Sequence, residues 1–336
     1  MKKLLSLIMV LAFIPMFLTT GCKKEEEKSD YDVLTEYIKA NNLDFSAITT
    51  GLVVGGSGIN INKTDYSVAD YYIMDVRAAA DFDAGHIKDA HNVALTGILD
   101  EAAKANGKKI LCVCYTGQTA ARAAALLRMA GFTAYSLKWG MSSWHSNFAS
   151  KWNSGAKDVT STNWVTTGDA PALVEYSDPT ITSDKATGKE ILDERIKAVL
   201  SLAWTESSTN VLADPSKYFI NNYWPKTSWD AYGHISGASR IYDELNVDGL
   251  KYLDPSDDIV SYCYTGQTSA QLTAWLHVLG FEKAKSLSFG TNGIIYTNLK
   301  NGTVDGAPAK SWKGTGSGSE NNFGFYKTDG TYVQPL

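Results

Sequence analysis

Cys114-Tyr115-Thr116-Gly117-Gln118-Thr119 recurs unchanged as Cys263-Tyr264-Thr265-Gly266-Gln267-Thr268. Each copy follows an apolar run, Lys109 to Val113 or Asp258 to Tyr262, and precedes a helical pattern that stops at Gly131 or Gly280. The pattern predicts strand, tight loop and helix, with a cysteine at the end of the strand. A thiol so placed faces loop N–H groups and a helix N-terminus, both of which stabilise a thiolate and bind anions. An ordinary thiol, with a pKa of about 8.5, is mostly protonated at neutral pH, and such amides are expected to raise its thiolate fraction. Cys114 and Cys263 are therefore the candidate nucleophiles. Gly117 and Gly266 let the loop curl with its N–H groups inward, where a Cβ would obstruct. Thr119 and Thr268 can cap the following helix or donate a hydroxyl to a bound sulfur.

The elements that must hold these loops are legible on either side. Val33 to Ile38 has helical spacing and ends near Asn41-Asn42. Tyr71 to Arg77 reads as a strand, Ala78 to Phe82 as a short helix, Gly85 to Val93 as a turn and extended segment, and Ile98 to Ala105 as a helix. After the first cysteine strand come a helix over Ala120 to Met129, a strand over Phe132 to Leu137, and a last helix opened by Trp139 to Trp144. Gly55-Gly56-Ser57-Gly58 lacks the Lys-Ser/Thr of a phosphate loop and reads as a turn.

The second half repeats the first. His234 follows His86 by 148 residues (234 − 86), Cys263 follows Cys114 by 149 (263 − 114), and Gly290 follows Gly140 by 150 (290 − 140). A nearly constant offset indicates a tandem duplication. Strands alternating with helices predict an α/β fold: two domains, each a central parallel sheet with helices on both faces. Ligands of such sheets bind beyond the carboxyl ends of the strands, where both cysteines fall.

With 336 residues, 44% hydrophobic and 20% charged, the chain has room for two domains. Its net charge of −5 gives no basic signal for nucleic acid. Five histidines without ligand spacing and four cysteines without CxxC pairing predict neither a metal site nor a cofactor. Met1-Lys2-Lys3 followed by the apolar run Leu4 to Leu18 reads as an export signal, too short to span a bilayer. Leu18-Thr19-Thr20-Gly21-Cys22 resembles a bacterial lipobox, with Thr19 where leucine is preferred; cleavage would leave Cys22 lipidated. The alternative is an ordinary secretory signal ending near a cysteine. The expected organisation is signal 1–21, charged tether 22–30, domain 31–150, linker 151–188 with Trp152 and Trp164 as anchors, domain 189–300, and a flexible Gly/Ser/Asn-rich tail 301–336.

Asp75-Val76-Arg77, Phe82-x-x-Gly85-His86-Ile87-x-x-Ala90, Cys114-x-x-Gly117-x-Thr119, Leu137-x-x-Gly140 and Trp144 resemble the rhodanese (sulfurtransferase) family. The resemblance extends over roughly 70–150 and 190–298. It implies a catalytic cysteine in a six-residue loop that takes a sulfane sulfur as a persulfide and passes it to a nucleophilic acceptor. It also implies substrate contacts from the loops, Tyr115 to Thr119 and Tyr264 to Thr268. Members favouring thiosulfate often carry a cation in this loop; the loops here are neutral, which leaves thiosulfate, 3-mercaptopyruvate and polysulfide open. The family's arginine, Arg77, either makes a structural ion pair, with Asp83 or Asp81, or meets an anionic substrate. Arg122 is a second candidate anion contact or a solvated residue. His86 and His234 fall in a fold-defining turn. In the second half Ala213-Asp214-Pro215 takes the place of Asp-Val-Arg, which puts nine extra, aromatic-rich residues before Gly233. Cys112 is either a resolving thiol or a small core residue, and its counterpart is Ser261.

A phosphatase or arsenate reductase of the same fold resembles Cys-x5-Arg, but the sixth position after each cysteine is Ala120 or Ser269, so the arginine fork is missing. Two readings remain. One is an exported sulfurtransferase with small sulfur anions, a thiol or cyanide acceptor, and the membrane as partners. The other is a lipid-tethered, non-catalytic binding or sulfur-sensing module.

Overall fold

The computed structural model describes residues 28–314 and 321–336. The expected export signal 1–21, the expected lipidation site Cys22 and residues 23–27 of the expected tether lie outside the described residues.

The first half begins with α1 (Asp30–Ala40) and α2 (Phe45–Thr49), followed by β1 (Val53–Val54), β2 (Tyr71–Asp75), α3 (Ala79–Ala84), β3 (His91–Asn92), α4 (Ile98–Ala103), β4 (Lys109–Val113), α5 (Gln118–Met129), β5 (Ala134–Leu137) and α6 (Met141–Trp144). Ser29 and Asp32 form a capping box that starts α1. The connection contains α7 (Ser150–Gly155) and β6 (Trp164–Val165). The second half has α8 (Gly188–Val199), β7 (Thr205–Glu206), α9 (Ser208–Ala213), β8 (Phe219–Asn222), α10 (Lys226–Tyr232), β9 (His234–Ile235), β10 (Ile259–Tyr262), α11 (Gln267–Val278), β11 (Lys285–Leu287) and α12 (Tyr296–Asn301). A hairpin of β12 (Phe325–Tyr326) and β13 (Tyr332–Val333) ends the chain.

Each half is an α/β unit around a parallel sheet. The orders, β1-β5-β4-β2-β3 and β7-β11-β10-β8, are the same through the first four strands, and a parallel bridge from Asn221 to Ser239 stands where β3 would pair. The cysteine strand is flanked on both sides in each sheet, as parallel strands buried on two faces require. Alternation along β4 divides its side chains. Ile110 and Cys112 join the core on the α5 side, whereas Leu111 and Val113 face a second cluster with Ile59, Met141, Trp144 and Phe325.

The two halves share one core. Apolar residues of α1, α5, α8 and α11 belong to a single cluster, with α5 against α11 at its centre. This explains why α5 is alanine-rich. Ala120, Ala121, Ala123, Ala124 and Ala125 are all buried, because the helix is covered by its own sheet on one side and by α11 on the other. Small side chains permit that close approach.

Two expectations need correction here. The nine-residue aromatic insertion does not exist. Asp75 is opposite Val113 in one sheet and Asn222 is opposite Tyr262 in the other, so Asn222-Tyr223-Trp224 is the counterpart of Asp75-Val76-Arg77. Asn222 lies 11 residues before Gly233 (233 − 222), against 10 from Asp75 to Gly85 (85 − 75). Strand register decides this assignment; the aspartate at 214 was a coincidence of residue type. The segment 301–336 is also not a loose tail where it is described. Trp312 is 1% exposed against Trp139 and Trp152, and Phe325 is 2% exposed against Phe148 and His145. The stretch Val304–Lys310 packs on the second half, and the closing hairpin packs on the first, where the Trp144 indole donates to the Gly324 carbonyl.

Candidate active site

Both cysteines sit one residue past the end of the central strand. Cys114 Sγ accepts from the N–H groups of Gly117 (3.1 Å) and Ala120 (3.3 Å). Cys263 Sγ accepts from the N–H of Ser269 (3.4 Å) and contacts its hydroxyl at 3.6 Å. Gly117 and Gly266 adopt left-handed backbone, φ +83° and +76°, which aims the loop N–H groups inward. A Cβ at Gly117 would come within 2.6 Å of the Gln267 carboxamide of the other loop.

The two loops meet across the boundary between the halves. Gln118 Oε1 accepts from the N–H of Phe289 (2.8 Å), and Gln267 Oε1 accepts from the N–H of Trp139 (3.3 Å). Trp139 and Phe289 are equivalent residues, and both hold left-handed backbone (φ 65° and 62°) that bulky side chains rarely adopt. Each glutamine thus pins the strained turn beside the other domain's cysteine. Gln118 is spent on this clamp, while Gln267 also borders the cavity described below.

The remaining loop residues divide by role. Thr116 Oγ1 accepts from the Gln118 amide, and Thr265 Oγ1 from the backbone N–H of Gln267. Thr119 and Thr268 do not cap their helices: the N-cap residues are Gly117 and Gly266, with no side-chain cap. Tyr115 is covered by the Lys151 ammonium at 4.2 Å from its ring, and Tyr264 by the Lys310 ammonium at 4.4 Å. The Trp152 indole donates to the Thr116 carbonyl.

Neither arginine proposed as an anion contact is at a sulfur. Arg77 is buried and pairs with Asp75, not Asp81 or Asp83: Nε lies 2.9 Å from Oδ1, Nη2 lies 2.5 Å from Oδ2, and Nη2 also donates to the Gly85 carbonyl. In the second half the neutral Asn222 donates to the Tyr262 hydroxyl, and Trp224 fills the arginine's place. Arg122 is fully buried between the halves, where Nη2 donates to the Val199 carbonyl and lies 3.1 Å from His277 Nδ1. Burial pulls its pKa down to about 10, and burial with the adjacent Arg122 guanidinium pulls His277 down to about 3. Its position one turn into α5 leaves its direction open in the sequence, and the structure gives α5 no solvent face. Cys112 is a core residue, 0% exposed, with burial pushing its thiol far up.

The loop amides do not bring the Cys114 thiol below its ordinary value. Burial pushes it above its ordinary value and outweighs the N–H groups of Ala120, Thr116 and Gly117, and the Asp75 carboxylate adds to the upward push. Peptide-resolved labelling with iodoacetamide should therefore show Cys114 reacting faster with rising pH through about 8.5, the ordinary thiol value, without levelling off. A plateau below that pH contradicts this assignment.

A cavity of about 410 Å³ opens on Cys263. Besides Cys263, Tyr264, Thr265, Gln267 and Thr268 it is lined by Lys138 of the first half, Lys310 and Asp305 of the C-terminal stretch, and Tyr223, Pro225 and Tyr242. Lys138, Lys310, Asp305 and Ser269 escaped the reading of the sequence. Ser269 is the sixth residue after Cys263, where the sequence by itself shows only that arginine is missing. The lysines come from segments remote in sequence and carry no local signal.

The model of the rhodanese-like domain family matches twice, over residues 60–147 and 215–295. No curated protein sequence matches the chain. Solved structures similar to it include a 3-mercaptopyruvate sulfurtransferase from Leishmania major, 15% identical over 72% of this chain and 73% of that one, with a TM-score of 0.26. Another is a 3-mercaptopyruvate sulfotransferase from Escherichia coli, 16% identical over 67% and 92%, with a TM-score of 0.24. A third is a rhodanese-related protein from Thermoplasma volcanium, 18% identical over 26% and 85%, with a TM-score of 0.23. With a cysteine loop inside each matched segment, the chain belongs to the rhodanese-like domain family and carries the domain in tandem.

Proposed function

We propose that the chain is an extracytoplasmic sulfurtransferase in which Cys263 takes a sulfane sulfur from a donor as a persulfide and delivers it to a thiol or to cyanide. The donors compatible with the site are thiosulfate, 3-mercaptopyruvate and polysulfide. The observation that carries this reading is the cavity: Cys263 borders a space large enough for a small molecule, with lysines to attract an anion. The Ser269 N–H and hydroxyl stand ready to stabilise charge on the cysteine sulfur. In the first step the Cys263 thiolate attacks the sulfane sulfur and the donor's remaining group leaves with the bonding electrons. In the second, the acceptor attacks the outer sulfur and Cys263 leaves as thiolate. Export and lipid attachment at Cys22 rest on the sequence of the first 22 residues.

The upward push that burial and the Asp75 carboxylate give the Cys114 thiol favours a different part for the first copy, as a domain that binds or senses sulfur without transferring it. The test is release of thiocyanate from cyanide with each donor in turn. Turnover with at least one donor is expected. No thiocyanate with any of them leaves the chain as a tethered binding module.

A further inference from the structure

The charges at the Cys263 cavity are of both signs, and they come from outside the loop. Lys138 enters from the first half, and its ammonium donates to the Ala309 carbonyl at 3.0 Å, which ties it to the C-terminal stretch. Lys310 enters from that stretch and lies over the Tyr264 ring. Among the described residues neither lysine makes an ion pair. Burial and mutual repulsion, with Lys313 contributing, lower Lys138; burial lowers Lys310, against an upward pull from Asp305 and Cys263. Half-buried cations gathered at one place disfavour the empty state and favour an anion. Asp305 lies on the same wall, its Oδ2 held by the hydroxyls of Thr227 and Ser228. Tyr223 and Tyr242, with ring centroids 4.7 Å apart, and Pro225 form an apolar wall.

The size of the cavity admits larger ligands as well as small anions. A five-atom oxyanion fills at most roughly 150 Å³, taking about 30 Å³ per non-hydrogen atom, water's share in the liquid. The cavity of about 410 Å³ has room for a ligand with a carbon skeleton.

We propose that this cavity takes a low-molecular-weight thiol of the amino-acid type, in its persulfide form when it acts as donor. Its carboxylate lies between Lys138 and Lys310, its ammonium faces Asp305, and its carbon chain lies against Tyr223 and Tyr242. The proposal rests on the reading of Cys263 as the transferring thiol. The step balances without a further reagent: the Cys263 thiolate attacks the outer sulfur of R–S–SH, the S–S bond breaks, Cys263–S–SH forms, and R–S⁻ leaves with the electron pair. The reverse reaction makes the same thiol an acceptor.

The test measures binding without transfer. The full chain in detergent, carrying Cys263→Ser, is titrated calorimetrically with S-methylcysteine and with S-methyl-3-mercaptopropionate, which lacks the ammonium. S-methylcysteine is expected to bind about tenfold more tightly, as one charge-assisted contact would give. Lys138→Gln and Lys310→Gln should each weaken both ligands about tenfold, and Asp305→Asn should remove the preference between them. Unfolding curves establish that the variants are folded. Equal affinity for the two ligands, a preference that survives Asp305→Asn, or no binding of either overturns the proposal. Thiocyanate release by the unmodified chain separates the two failures. Turnover without S-methylcysteine binding removes the subsite alone. Binding without turnover keeps the ligand site and removes the transfer reading.

Discussion

Replacing Cys263 by serine abolishes sulfur transfer, by roughly a thousandfold or more, whereas Cys114→Ser lowers it less than about threefold. The two loops are identical in sequence, and both cysteines are 3% exposed, so neither residue type nor burial separates them. What separates them is the surroundings. The cavity opens on Cys263, with lysines and tyrosines on its walls. Cys114, whose thiol burial raises, also faces the Asp75 carboxylate, whereas the second half has the neutral Asn222 in the corresponding place. Cys263 also gains the Ser269 hydroxyl, where the first loop has Ala120. Steady-state rates of the two single variants check the assignment. Equal losses would show that both copies turn over, and a larger loss in Cys114→Ser would reverse it.

The second large effect is on stability. Arg77→Ala should destabilise the fold by about 3–5 kcal/mol, because it strands the Asp75 carboxylate in the core. The pair is fully enclosed, with side-chain exposures of 2% and 0%. The double variant Asp75→Asn, Arg77→Met should recover most of the loss, since exchanging both members of a buried pair for neutral groups is often close to neutral. The protein contains its own precedent: the second sheet is built with Asn222 and Trp224 at these positions and has no charge there. Denaturant unfolding measures both variants. A cost below about 1 kcal/mol for Arg77→Ala would mean that water reaches Asp75 and that the pair is not a structural core element.

Much of the architecture was legible because it repeats. Six identical residues and a nearly constant offset locate both cysteine loops and both central strands. What failed, failed for physical reasons. Asp214 was matched to Asp75 by residue type, but the match depends on pairing opposite the cysteine strand, which only the register of β8 reveals. The last 36 residues looked loose because glycine, serine and asparagine dominate their average, whereas Trp312 and Phe325 decide their packing. Arg122 was read as facing solvent or an anion because a helix pattern does not show that a second domain will cover it. The loop amides were expected to lower a thiol, and at Cys114 desolvation outweighs them. The lysines at the cavity come from distant segments, and nothing near either of them in the sequence points to a cysteine.

The most direct measurement is the peptide-mapped mass of the unmodified chain after incubation with a sulfane-sulfur donor. A gain of about 32 Da on the Cys263 peptide, removed by cyanide, is the predicted result. A gain confined to the Cys114 peptide, or none on either, would contradict the account.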